Sequence, residues 1–201
     1  MKTKSGDFLD ILLGGSKQKD SFTNRAAVNL HEFYLSGTIG PSDEYVEWFD
    51  VIRNAGENDI VKIYINSYGG DLFTAIQFLR VLKDAAGPIV VSVEGACMSA
   101  ATIIFLCADQ IEVSAHSMFM FHNYSGGTIG KGGEMLDQLI HERAWSEKML
   151  RDIYEDFLTD KEISAMLDNK DIWMDGDEVV KRLEKKIKKT SKKSKVEANE
   201  T

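Results

Sequence analysis

The chain has 201 residues, 43% of them hydrophobic and 28% charged, with two cysteines, two prolines and a formal net charge of −8. That is sufficient for one domain with a single core, and no apolar run approaches the roughly 20 residues a membrane-spanning helix needs. The charge is divided: residues 181–201 carry nine Lys/Arg against three Asp/Glu, and the remainder carries fifteen against twenty-nine.

Residues 1–28 are polar with isolated apolar clusters, the pattern of a mobile N-terminal arm. Within them "FLDILLGG" (Phe8 to Gly15) is short, carries Asp10 and lacks a cleavage signal, so no secretory leader is expected. A regular alternation follows. "HEFYLSG" (His31 to Gly37) reads as a strand, and "SDEYVEWFDVIRNAG" (Ser42 to Gly56) as a helix with Ser42 as its cap. "DIVKIYIN" (Asp59 to Asn66) alternates Val61, Ile63 and Ile65 with the period of a strand. "DLFTAIQFLRVLKDAAG" (Asp71 to Gly87) places Leu72, Ala75, Ile76, Leu79 and Leu82 on one helical stripe.

"PIVVSV" (Pro88 to Val93) is a strand, "AATIIFLCA" (Ala100 to Ala108) a buried helix, and "DQIEVS" and "SMFMFHN" two more strands. Between Glu134 and Leu158 apolar residues step mainly by four, which predicts a long amphipathic helix whose stripe suits either its own domain or another subunit. The basic end, 181–201, has no aromatic residues to stack on bases, so a solvated, disordered tail is expected and nucleic-acid binding is not. Strands alternating with helices at these lengths predict a largely parallel α/β fold. Cys97 and Cys107, both in apolar surroundings, read as packing thiols of a reducing compartment, so the cytoplasm is the expected location.

One hydroxyl stands out. Ser99 sits at the join between a buried strand and a buried helix, where unpaired backbone N–H groups favour a developing anion. Taken alone, it reads as a helix cap. A second turn, "NSYGGD" (Asn66 to Asp71), presents Gly-Gly between another strand and helix, so both turns are expected at one sheet edge, where α/β proteins bind ligands. Backbone donors from two such turns would suit the oxyanion of acyl transfer. The base for a serine nucleophile is usually a His, with a pKa of about 6.5. Of the four, His122 is best placed, ending an apolar strand before the flexible "NYSGGTIG" (Asn123 to Gly130). Many carboxylates could orient it, and Asp171 in "NKDIWMDG" is one of them.

"IYINSYGGD", "VEGACMSAAT", "MFMFHNYSGG", the long helix and "NKDIWMDGDEVV" occur in the order seen in the ClpP family, the proteolytic subunits of Clp proteases, and the chain resembles that family from about Leu30 to Val180. The resemblance implies a spiral of β-β-α units shared with crotonases, a peptidase domain over 29–180 and a protruding "handle" helix at about 133–158. It implies a serine endopeptidase with a Ser99, His122, Asp171 triad, oxyanion donors at the N–H groups of Gly70 and Ala100, and a substrate-aligning strand at Ser125, Gly126 and Gly127. Polypeptide substrates, a homo-oligomer of heptameric rings (one or a pair forming a tetradecamer) and an AAA+ unfoldase partner complete what it implies. No metal or cofactor belongs to the chain on this reading, and ATP enters only through the unfoldase.

Departures from the family pattern are Tyr68 in place of Pro, "MSAA" around the serine, Asn169-Lys170 in place of a ring-linking Glu-Arg pair, and Lys62 at an aromatic docking position. Such divergence would suit a phage-encoded member that trims capsid proteins. Alternatives are an inactive ring subunit or scaffold and a crotonase-type acyl-CoA enzyme. A serine-lysine peptidase of the SppA type is disfavoured because no Lys occupies a clear base position.

Overall fold

A computed structural model describes residues 28–197, with side chains to 186. The expected arm, 1–28, lies outside the described residues apart from Val28. The strand period at 59–66 becomes β2 (Ile60–Gly70), parallel to β1 (Leu30–Ile39) on one side and β3 (Ile89–Met98) on the other. Val61, Ile63 and Ile65 are fully buried on one face, while Lys62 and Tyr64 on the other keep partial access to water. That alternation is what a sheet packed chiefly on one face requires.

Helices α1 (Val46–Asn54), α2 (Leu72–Lys83) and α3 (Ala100–Phe105) contribute Phe49, Ile52, Ala75, Phe78, Val81, Ile104 and Phe105 to one continuous core. Phe78 is its hub, with the rings of Tyr45, Trp48 and Phe49 between 4.8 and 6.1 Å away. Burying such a ring contributes about 2–3 kcal/mol. The first helix differs from expectation at its start. Ser42 to Tyr45 form a 3₁₀ turn whose cap position is Pro41, so Ser42 lies within the turn and caps nothing. Asp71 does cap α2, accepting from the Thr74 N–H at 2.7 Å.

β3 is the branch point. Residues 90–93 pair in parallel with β4 (Gln110–Val113), and 96–98 pair in parallel with β5 (Met118–Phe121). The β2–β3 register slips between Ile65 and Ser67, where Asn66 Oδ1 accepts from the Ala96 N–H at 3.0 Å and so satisfies a donor the ladder has dropped. β3 therefore runs five residues past the expected end at Val93 and delivers Ser99 to the sheet edge.

After β5 come a segment without regular structure and the long helix α4 (Gly132–Tyr154), ending four residues before the expected Leu158. Only Ser146, Leu150 and Tyr154 of α4 are buried, so its N-terminal half stands away from the core. Then follow α5 (Asp160–Leu167), β6 (Ile172–Asp175), antiparallel to β5, and α6 (Gly176–Glu197). The disordered tail expected from 181 is, up to Glu197, the continuation of α6: Asp177 and Glu178 in its first turn suit the helix dipole, and Val179 and Leu183 anchor it on the core. The architecture is the expected α/β one. Among the described residues no helix is long and apolar enough to cross a membrane.

Candidate active site

At the carboxyl ends of β2 and β3 lies a cleft of about 550 Å³. β3 ends at Met98, and Ser99 follows with φ 54° and ψ −128°, a conformation that L-residues avoid. It occupies the cap position of α3, yet its hydroxyl caps nothing. Instead, Ser99 Oγ lies 2.6 Å from His122 Nε2. The bond that a capping role requires is missing, and the bond that a nucleophile–base pair requires is made. With Nε2 as the acceptor of this bond, the single ring proton of the neutral imidazole sits on Nδ1.

The Gly-Gly turn packs directly on this serine. Gly69 has φ 90°, and a Cβ there would stand 2.6 Å from Ser99 Cβ and 2.7 Å from the Met98 carbonyl oxygen. Ser67 holds the turn, donating its hydroxyl to Gly37 O at 2.7 Å and accepting from the Gly69 N–H at 3.2 Å. Gly70 and Ala100 both line the cleft beside Ser99. Ala100 opens a helix, so its N–H has no acceptor within that helix.

Of the three side chains expected together, two meet. Asp171 is exposed, and among the described residues no hydrogen bond links it to His122. Sheet register nevertheless brings the two positions level. Phe121 pairs with Ile172 in the antiparallel β5–β6 ladder, so the next step along places residue 171 across from residue 122. Asn123 ties the same corner down, donating to Leu167 O and to Asn169 Oδ1, each at 3.2 Å.

Ser125, Gly126 and Gly127 line the cleft as expected, but as exposed backbone without strand structure. α4 also lines the cleft, with His141, Glu142 and Trp145, and Phe73 of α2 stacks on Trp145 at 5.7 Å. Nothing in the sequence marks Phe73, Trp145 or Tyr154 as cleft residues, because their helical spacing reads as ordinary packing. Cys97 and Cys107 are free thiols; burial pushes that of Cys107 up to about 12 and that of Cys97 higher still, so neither is a nucleophile at neutral pH. No group of three or more His, Cys, Asp or Glu that could hold a metal occurs among the described residues.

Fold and cleft together define a class: α/β proteins whose candidate reacting group stands on a sharp strand-to-helix turn at the carboxyl edge of a parallel sheet. Comparison with known proteins gives the family. The Clp protease family profile matches residues 42–182, and the chain belongs to that family. It is also similar to a curated relative, "ATP-dependent Clp protease proteolytic subunit 1" of Salinibacter ruber (strain DSM 13855 / M31), at 26% identity over 131 residues. That alignment covers 63% of this chain and 55% of the relative, so the chain spans little more than half of that protein's length.

Proposed function

We propose that the protein is a serine endopeptidase acting on extended polypeptide. The observation that carries this reading is the 2.6 Å contact between Ser99 Oγ and His122 Nε2 at the floor of the cleft. Family membership supports the same chemistry. Ser99 Oγ attacks the peptide carbonyl while His122 Nε2 takes its proton. The N–H groups of Gly70 and Ala100 receive the oxyanion, and His122 returns the proton to the departing amine. Water then attacks the acyl carbonyl as His122 takes its proton, and His122 passes that proton to Ser99 Oγ as the carbon–oxygen bond to serine breaks. Asp171 orients the Nδ1–H of His122 once the 167–171 corner closes by a small shift. The open backbone of 125–127 takes the substrate as an added strand.

The protomers assemble, on this proposal, into heptameric rings through the exposed half of α4. An AAA+ unfoldase delivers substrate and is where ATP is used, and the assembly works in the cytoplasm. The decisive experiment compares wild type with Ser99→Ala, by fluorophosphonate labelling and by hydrolysis of a fluorogenic peptide at high enzyme concentration. Both signals are expected to vanish in the variant. Labelling that survives the substitution removes Ser99 from the chemistry. The unmade His122–Asp171 bond favours one second reading, a ring subunit that is catalytically silent. A wild-type protein that forms rings yet stays unlabelled, with and without an unfoldase, would establish that reading instead.

A further inference from the structure

Below Ser99 lies a second line of hydroxyls that the steps above leave unused. Thr102 is fully buried, one turn along α3, and its Oγ1 donates to the Ser99 carbonyl oxygen at 2.7 Å. The Thr102 N–H donates to the same oxygen at 2.9 Å, and the Ser99 N–H donates to Met120 O at 2.8 Å. Thr102 Oγ1 is also 2.7 Å from the hydroxyl of Tyr154, near the end of α4. A threonine hydroxyl has one proton. Since Thr102 spends it on a carbonyl, which can only accept, the Tyr154 hydroxyl is the donor in the second contact. The direction is therefore fixed: Tyr154 to Thr102 to the Ser99 backbone. Burial pushes the Tyr154 phenol up, so that proton stays in place throughout the range where a His base works.

The relay also reaches the base. The Tyr154 ring meets Phe121 edge-on at 5.6 Å, and Phe121 immediately precedes His122. A single side chain from the handle helix thus touches the supports of both reacting groups. Ser99 needs such support, because its positive φ is held only while its surroundings insist on it.

We infer that Thr102 and Tyr154 are positioning residues, which hold the Ser99 backbone in its strained conformation and so keep its hydroxyl on His122. Neither touches the reacting atoms. The inference rests on the proposed nucleophilic role of Ser99, and its test separates the two.

Thr102→Val keeps the volume of the side chain but removes the donor to Ser99, and it leaves the Tyr154 hydroxyl buried without an acceptor. Thr102→Val/Tyr154→Phe removes that stranded hydroxyl as well. Melting temperature is therefore expected to fall in the single variant and to recover most of the loss in the double one. Fluorophosphonate labelling rate and kcat are expected to fall roughly 10- to 100-fold in both, with KM little changed, because a displaced nucleophile is not restored by better packing. Thr102→Ser, which keeps the hydroxyl, is expected to retain most of the labelling rate.

If activity recovers together with melting temperature in the double variant, the two residues only pack and the inference is overturned. It is equally overturned if Thr102→Val labels as fast as wild type. If Ser99→Ala labels like wild type, it is the peptidase reading that fails first, and the relay falls with it.

Discussion

Gly69 is where the chain's chemistry is most exposed to a single methyl group. Its φ of 90° already disfavours any other residue, and an added Cβ would press within 2.6 Å of Ser99 Cβ, against backbone on the far side. Gly69→Ala is therefore expected to displace Ser99 and lower peptidase activity at least 10-fold, with a loss of roughly 1–3 kcal/mol in stability. Denaturant unfolding and peptide hydrolysis measured side by side check both parts. Asp171 poses a different question, since its position faces His122 in register while its carboxylate makes no bond there. Asp171→Asn is expected to lower kcat by roughly 10²- to 10⁴-fold with KM little affected, as loss of the group that orients a catalytic imidazole does. A variant as fast as wild type would show that Ser99 and His122 act as a pair without a third member.

Among the elements, an ion pair between Arg182 and Glu162 fastens α6 to α5. Arg182 donates to both oxygens of Glu162, Nη2 to Oε1 at 2.8 Å and Nη1 to Oε2 at 2.9 Å. Oε2 also closes the Thr159 capping box at the start of α5. The Arg182 hydrogen bonds, with the Thr159 N–H and hydroxyl adding to them and burial opposing, hold the Glu162 carboxyl down at about 2 against an ordinary 4.5. A depressed folded-state pKa contributes stability that is complete above the unfolded value and is lost as pH falls through the folded one. Unfolding free energy should thus decline between about pH 4.5 and pH 2. Arg182→Ala should lose roughly 1–3 kcal/mol at pH 7 and show a flatter acid limb. Urea titrations at pH 7 and pH 3 on both proteins check this, and identical acid limbs would refute it. The Glu162–Arg182 pair is not legible in sequence, because the two residues are twenty apart on different helices and no local pattern selects them among the other charges. The strands and helices up to Phe121 were legible because their periods of two and 3.6 are written in Val61, Ile63, Ile65 and in Leu72, Ala75, Leu79. β6 was not, as four residues of "IWMD" have no period to detect. The pairing of Ser99 with His122 was legible as the best-placed candidate pair, a hydroxyl at a strand-to-helix turn and a His ending an apolar strand, but not as a contact, since residues 23 positions apart meet by way of a sheet register that no local pattern encodes.

For the molecule as a whole, the chain leaves apolar surface where a monomer gains nothing from it. Leu136 and Ile140, both 59% exposed, and Leu139, 44% exposed, lie within a turn and a half along the outer half of α4. The same helix buries Leu150 and Tyr154 further on along that face, with exposed Arg143 and Glu147 between its satisfied root and its bare tip. An exposed apolar patch of this kind suits a contact with another protomer, which is the physical ground for the proposed assembly. On that proposal the cleft is tied to the assembly, because His141, Glu142 and Trp145, which line it, come between the bare and the buried parts of the helix. Leu136→Glu/Ile140→Glu would place two carboxylates in the proposed contact while altering no buried residue of the protomer. The expected outcome is an unchanged circular dichroism spectrum and unfolding midpoint for the protomer, but a shift of sedimenting species from rings towards small oligomers. Peptide hydrolysis should fall in parallel, because a handle helix without its partner no longer fixes the wall opposite Ser99. If the doubly charged variant sediments as wild type does, the stripe is not the contact, and assembly must use another face, of which the half-exposed side of β1 and β2 with Tyr34 stacked on Tyr64 at 4.7 Å is the next to test.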